Sequence, residues 1–136
     1  MSNRLIVAFL FASINPVIIM PLQAIPLKDN LGEKRVIITF SASVKESERL
    51  ALQKQMEEKA CAFTDRNLVH IDLLQGSEDF DEMSQQFAVS SSGFQLLLLG
   101  KDGGVKLRSS TVSLEDIFSL IDTMPMRRNE MRDDRC

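Results

Sequence analysis

Two cysteines and one histidine are the residues of this 136-residue chain best suited to covalent or metal chemistry. Cys61 lies near the end of a stretch with helical spacing, and Cys136 is the last residue. Thiols do redox and nucleophilic work, so the two could pair as a disulfide, or Cys61 could reduce peroxide. The plainer reading is favoured: a semi-buried small apolar residue and an incidental tail cysteine, since a helix C-terminus raises a thiol pKa. An oxidising destination would keep the disulfide open. His70 could be a base or a metal ligand, but it has no second histidine and Cys61 is not at motif spacing. A hydrogen-bonded strand histidine is the better reading, and no metal site or cofactor is expected. Ser90-Ser-Ser-Gly93 lacks the G-x-S-x-G frame of a nucleophile and reads as a loop.

Anion chemistry has two candidates. Arg127 and Arg128 follow a helix stop at Pro125, where adjacent guanidiniums could fork onto a carboxylate or phosphate, or could pair with Asp122 or Asp116. Along the tail Arg127, Arg128, Arg132 and Arg135 are opposed by Glu130, Asp133 and Asp134, which leaves no strong positive patch. Lys101-Asp102-Gly-Gly104 has the look of a phosphate loop, but it lacks the G-x-x-x-x-G-K-[ST] frame and a hairpin turn explains each residue. Lys101 and Asp102 stand with the arginine pair as binding candidates.

The elements that must position these residues alternate strand and helix. Arg35-Val-Ile-Ile-Thr-Phe40 is a β-branched run suited to a mostly buried strand. Ser43-Val-Lys-Glu46 has the spacing of a capping box, which predicts a helix to about Phe63 with Leu52, Met56, Ala60 and Phe63 on its packed face. Asn67–Leu74 is a second strand, with Val69, Ile71 and Leu73 on one side and His70 and Asp72 on the other. Phe80, Met83 and Phe87 mark a short helix. Phe94–Gly100 carries no charge and reads as a central strand; the hairpin at Asp102-Gly103 then leads to an edge strand at Val105–Arg108. Ser113 caps a last helix carrying Leu114, Ile117, Phe118, Ile121 and Met124, stopped by Pro125. The order βαβαββα predicts an α/β fold of minimal thioredoxin-like type, a four-stranded mixed sheet with helices on both faces. A ferredoxin-like split βαβ plait competes, but a hairpin directly before the last helix counts against it.

With 44% hydrophobic and 26% charged residues, the chain is an ordinary globular one of about one domain. A net charge of -3 supplies no field for gripping phosphate backbones, so nucleic acid is excluded as a partner. Arg4, the apolar run Leu5–Met20 and Ala24 have the layout of a cleavable secretory signal over residues 1–24, leaving a domain at 25–131 and a flexible tail at 132–136. Pro16 counts against a membrane anchor. The expected destination is the periplasm or the outside of the cell, with no membrane association after cleavage.

A redox thioredoxin places two cysteines, two residues apart, where the first strand meets the first helix. Here that place reads Phe40-Ser-Ala-Ser-Val44, and no proline stands before the strand leading into the hairpin to supply a cis bond. Dithiol exchange by that route is therefore not expected.

At Gly100-Lys-Asp-Gly-Gly-Val-Lys-Leu-Arg108 and Ile121-Asp-Thr-Met-Pro-Met-Arg-Arg-Asn-Glu-Met131 the sequence resembles the DUDES-type domain of unknown function. That family occurs as small exported bacterial proteins and within animal sushi-repeat and coiled-coil matrix proteins. Gln53, Arg66 and Asn67 also resemble family positions, although Asn67 stands where the family pattern has an acid, and the usual aromatic before the first strand is missing from Leu27–Arg35. The resemblance extends over about Leu27 to Met131. It implies a thioredoxin-like fold and an uncharacterised activity, and it carries no catalytic residue onto this chain. The expected function is a non-catalytic binding or interaction domain whose partner is an unknown protein or a small anionic ligand. The alternative is a peroxiredoxin-like thiol or peroxide oxidoreductase using Cys61.

Overall fold

The computed structural model describes residues 27–90, 92–131 and 136, so the signal segment and residues 132–135 of the tail lie outside the described residues. The elements are α1 (Leu27–Asn30), β1 (Arg35–Ser41), α2 (Ser47–Glu58), α3 (Ala60–Asp65), β2 (Leu68–Leu74), α4 (Glu78–Gln86), β3 (Gln95–Leu99), β4 (Val105–Ser109), α5 (Leu114–Asp122) and α6 (Pro125–Glu130). The strands form one mixed sheet in the order β2-β1-β3-β4. β1 runs parallel to β2, with Arg35 opposite Leu68, and antiparallel to β3, with Val36 opposite Leu99. β4 pairs only with β3 and closes one edge, as its alternating apolar and basic residues predict.

Period-two alternation sends the side chains of β1 and β3 to two separate cores. Ile37, Leu96 and Leu98 meet Leu52 of α2, Phe63 of α3 and Leu114, Ile117, Phe118 and Ile121 of α5. Val36, Ile38, Phe40, Leu97 and Leu99 meet Ile71 and Leu73 of β2 and Phe80 of α4 on the other side. All seven residues of β1 are buried, the signature of a strand covered on both faces. Each fully buried Leu or Ile contributes roughly 1.5–3 kcal/mol over its exposed state, so these two layers supply the main drive to fold.

Helix boundaries depart from the sequence reading at three places. The capping box does not form: the Ser43 hydroxyl accepts from the Lys45 N–H and its carbonyl from the Glu46 N–H, making a local turn, and α2 starts only at Ser47. Serine side chains compete for nearby amides in this way, which delays a helix as readily as it starts one. The backbone then breaks at Lys59 (φ -119°), splitting the expected single helix into α2 and α3. The break rotates the apolar face, so Ala60 is exposed and Ala62 packs against the core instead. Pro125, expected to release the chain, both ends α5 and opens α6 as its first residue, a position where its missing N–H costs nothing. Elsewhere Ser77 and Ser113 cap α4 and α5 by accepting from the Phe80 and Asp116 amides.

Candidate functional site

Where β1 and β2 begin, seven charged side chains meet. Arg35 opens β1 and is only 1% exposed. Its Nη1 donates to Glu130 Oε2 at 2.9 Å and to the Arg66 carbonyl at 2.9 Å, and its Nη2 donates to Glu130 Oε1 at 3.3 Å. Lys101, in the β3–β4 turn, reaches the same Oε1 at 2.5 Å. Arg127, the third residue of α6, is 3% exposed and donates to Asp65 Oδ2 at 2.6 Å, to the Asp65 carbonyl at 3.0 Å and to Asp122 Oδ1 at 3.1 Å. Arg66 completes the group with a fork onto Asp122 at 3.1 and 2.8 Å, its guanidinium lying 4.4 Å over the Phe118 ring. Burial pushes the Glu130 carboxyl up, but hydrogen bonds from Arg35 and Lys101 outweigh it and hold the group below its ordinary value. Asp122 follows the same logic with Arg66 and Arg127, while Asp65 and Asp122 hold the Arg127 guanidinium charged against its own burial.

This geometry corrects the expectation of a forked arginine pair. Pro125 starts a helix rather than ejecting the chain, so successive residues diverge: Arg127 turns inward and Arg128 is exposed. Of the two acids named as partners, Asp122 takes Arg127 and Asp116 is exposed on another face. Arg127 therefore braces α3, α5 and α6 and offers no free donor face to a ligand. Lys101 is likewise engaged by Glu130, and Asp102 holds Lys106 at 2.8 Å. The two sequence blocks that carry the family resemblance thus converge in space, because Lys101 comes from one and Asp122, Arg127 and Glu130 from the other.

The cysteines give a second correction. Both are exposed rather than semi-buried or incidental, and Cys61 of α3 is bonded to Cys136 with the sulfurs 2.06 Å apart. The bridge borders a groove of about 750 Å³ whose other walls include Thr64, Asp65, Asn67, Asn129 and Glu130. Of the charged cluster, Asp65 and Glu130 line this groove, beside the polar side chains of Thr64, Asn67 and Asn129.

At the opposite end of β1 lies a separate polar group. The Thr39 hydroxyl, fully buried, donates to Asp72 Oδ1 at 3.1 Å and sits 2.8 Å from His70 Nε2. With its hydrogen committed to Asp72, Thr39 accepts from His70, which places the imidazole proton on Nε2. Arg49 of α2 clamps Asp72 from outside at 2.8 Å. Burial lowers the His70 pKa, opposed by the Asp72 charge and aided by that of Arg49. The histidine is a hydrogen-bonded strand residue, and the one hydroxyl beside it is sealed from any substrate. Ser41, at the place where a redox thioredoxin needs a thiol, is buried with its hydroxyl unpartnered among the described residues.

Sequence reasoning missed Arg35, Asp65, Arg66 and Glu130 as members of the cluster. A usable signal existed in the i, i+3 spacing of Arg127 and Glu130, which puts both on one side of a helix once α6 is recognised.

A central mixed sheet of this order, with helices on both faces, defines a thioredoxin-like α/β protein. The reduced 2-Cys peroxiredoxin of Plasmodium vivax superposes with a TM-score of 0.58 at 15% identity, covering 76% of this chain and 84% of that one. Plasmodium yoelii thioredoxin peroxidase I gives 0.53 at 17% identity, covering 81% and 82%. Over residues 26–130 the sequence matches the family described as a domain of unknown function (DUF4174), and the chain belongs to it. No curated protein matches the sequence. No helix among the described residues is long and apolar enough to cross a membrane.

Proposed function

We propose that the chain is a non-catalytic binding module on a thioredoxin-like scaffold, acting in the periplasm or outside the cell. One observation carries the reading. The end of β1, where dithiol chemistry would be sited, holds the buried Ser41 and the turn-bound Ser43, while both thiols are tied in a bridge at the far end of the sheet. The groove beside that bridge is the recognition surface, its asparagine and threonine side chains supplying hydrogen bonds to a protein partner. The bridge itself supports an oxidising compartment, in line with the signal-like first 24 residues. The test replaces Thr64 and Asn129 with Trp and follows site-specific cross-linking from Asn67 in the export compartment. Adducts should vanish in that variant and survive Asp81→Trp on the exposed side of α4. Adducts indifferent to the groove substitutions would refute the surface.

A second reading rests on the exposure of Cys61 and Cys136. A dithiol reductant can reach such a bridge, and the released Cys61 would then be the peroxide-reducing thiol. Peroxide consumption in the presence of dithiothreitol, abolished by Cys61→Ser, would establish this reading and overturn the first.

A further inference from the structure

We propose that the Cys61–Cys136 bridge is a redox gate on the groove beside it: the bridged chain holds the groove's partner, and reduction releases it. The inference rests on the reading of that groove as the recognition surface and adds what sets its occupancy.

The groove lies between two short helices. Ala60, Cys61, Thr64 and Asp65 of α3 and Asn129 and Glu130 of α6 line it, and Cys136 completes the lining. The two helices are positioned without help from the bridge. Arg127 of α6 donates to the Asp65 carboxylate at 2.6 Å and to the Asp65 carbonyl at 3.0 Å, while Glu130 accepts from Arg35 at 2.9 Å. These charge-assisted bonds involve two nearly inaccessible guanidiniums, so α6 keeps its place when the bridge opens. Cys136 is different. It is exposed, it lies beyond the last residue of α6, and what ties it to α3 is the disulfide itself. Opening that one bond therefore acts on a wall of the groove and leaves the fold that carries the groove in place.

The opening step needs a dithiol as co-reactant, and both cysteines are exposed to one. A thiolate of the dithiol attacks one sulfur of the bridge, and the electron pair of the S–S bond leaves on the other. The second thiol then displaces the first from the mixed disulfide. The dithiol ends as its own disulfide, and its two protons end on Cys61 and Cys136. With Cys136 free of α3, a preformed site becomes one that the partner must order for itself, and that ordering costs affinity. An oxidising compartment keeps the bridge closed and the site complete, so a local supply of dithiol is the signal that empties it.

Two measurements on the chain purified from, or followed in, the export compartment test the gate. Amide relaxation with and without dithiothreitol should show the Cys136 order parameter falling from the rigid range near 0.85 to below about 0.6, with Arg127, Glu130 and the strands unchanged. Cross-linking from Asn67 should give about tenfold less adduct in the double variant Cys61→Ser, Cys136→Ser than in wild type at equal protein level, the scale of ordering one or two side chains on binding. The double variant is used so that no stray thiol reacts. Ile71→Ala weakens the core on the other side of the sheet, and it should keep the wild-type yield. A Cys136 that stays rigid on reduction, an α6 that loosens with it, or an Ile71→Ala yield as low as that of the double variant would each overturn the gate. If the double variant keeps its adducts while tryptophan at Thr64 and Asn129 abolishes them, the recognition surface stands and the gate falls. Adducts indifferent to every groove substitution would refute the surface and the gate together.

Discussion

Replacing Arg127 with methionine keeps most of the apolar stem and removes the guanidinium. Asp65 then loses its 2.6 Å partner and its carbonyl loses a donor, while Asp122 keeps only the Arg66 fork. Breaking a buried pair from one side costs ~3–5 kcal/mol, because the remaining charge stays desolvated. The Asp65 and Asp122 side chains are 15% and 33% exposed, so water recovers part of that cost and the lower end applies. About 3 kcal/mol is a large share of the ~5–15 kcal/mol that holds a domain together. It corresponds to a fall in melting temperature of roughly 12–15 °C for a chain of this size. Arg128→Met, one residue along and exposed, should stay within ~0.5 kcal/mol of wild type. Urea unfolding of the three proteins at neutral pH, with the disulfide intact, measures both values. A cost below ~1 kcal/mol for Arg127→Met, or equal costs for the two variants, would refute the placement of Arg127 as a brace.

Two further outcomes follow from the same region. Because Glu130 and Asp122 have folded pKa values below their unfolded ones, the stability they contribute is fully present above the unfolded carboxylate range and is lost as pH falls through the folded values. The urea midpoint should therefore drop on acidification below about pH 4, and Glu130→Gln should flatten that drop. The Cys61–Cys136 bridge spans 75 residues, so Cys61→Ser should lower stability by up to ~4.5 kcal/mol on the chain-entropy account, with a urea midpoint below that of oxidised wild type and equal to that of reduced wild type.

The sheet was legible from residues 35–109 because strand signals are local: β-branched runs, an uncharged Phe94–Gly100 and an Asp-Gly turn each report on their own surroundings. Helix ends were less so. Ser43 and Glu46 satisfy the capping pattern in sequence, yet the choice between a cap and a turn depends on where β1 delivers the chain. The charged cluster lay beyond reach for another reason. Its members sit at 35, 65–66, 101, 122, 127 and 130, and only the closed sheet brings Arg35 to Glu130 across 95 positions. The pairing of Cys61 with Cys136 is equally non-local, since two thiols carry no mark of their distance in space.

The place of β1 between β2 and β3 makes the domain a poor candidate for piecemeal assembly. Its partner on one side begins at Leu68, but its partner on the other begins only at Gln95. A chain cut or stalled before Gln95 would hold β1 with one row of amides and carbonyls unmatched from Val36 to Phe40, and without the leucines of β3 and the side chains of α5 that complete both cores. Such an edge pairs with whatever strand arrives next, including the same edge of another copy. Fragments ending in the first two-thirds of this protein should thus recruit one another, and the late arrival of β3 is what closes that edge of β1.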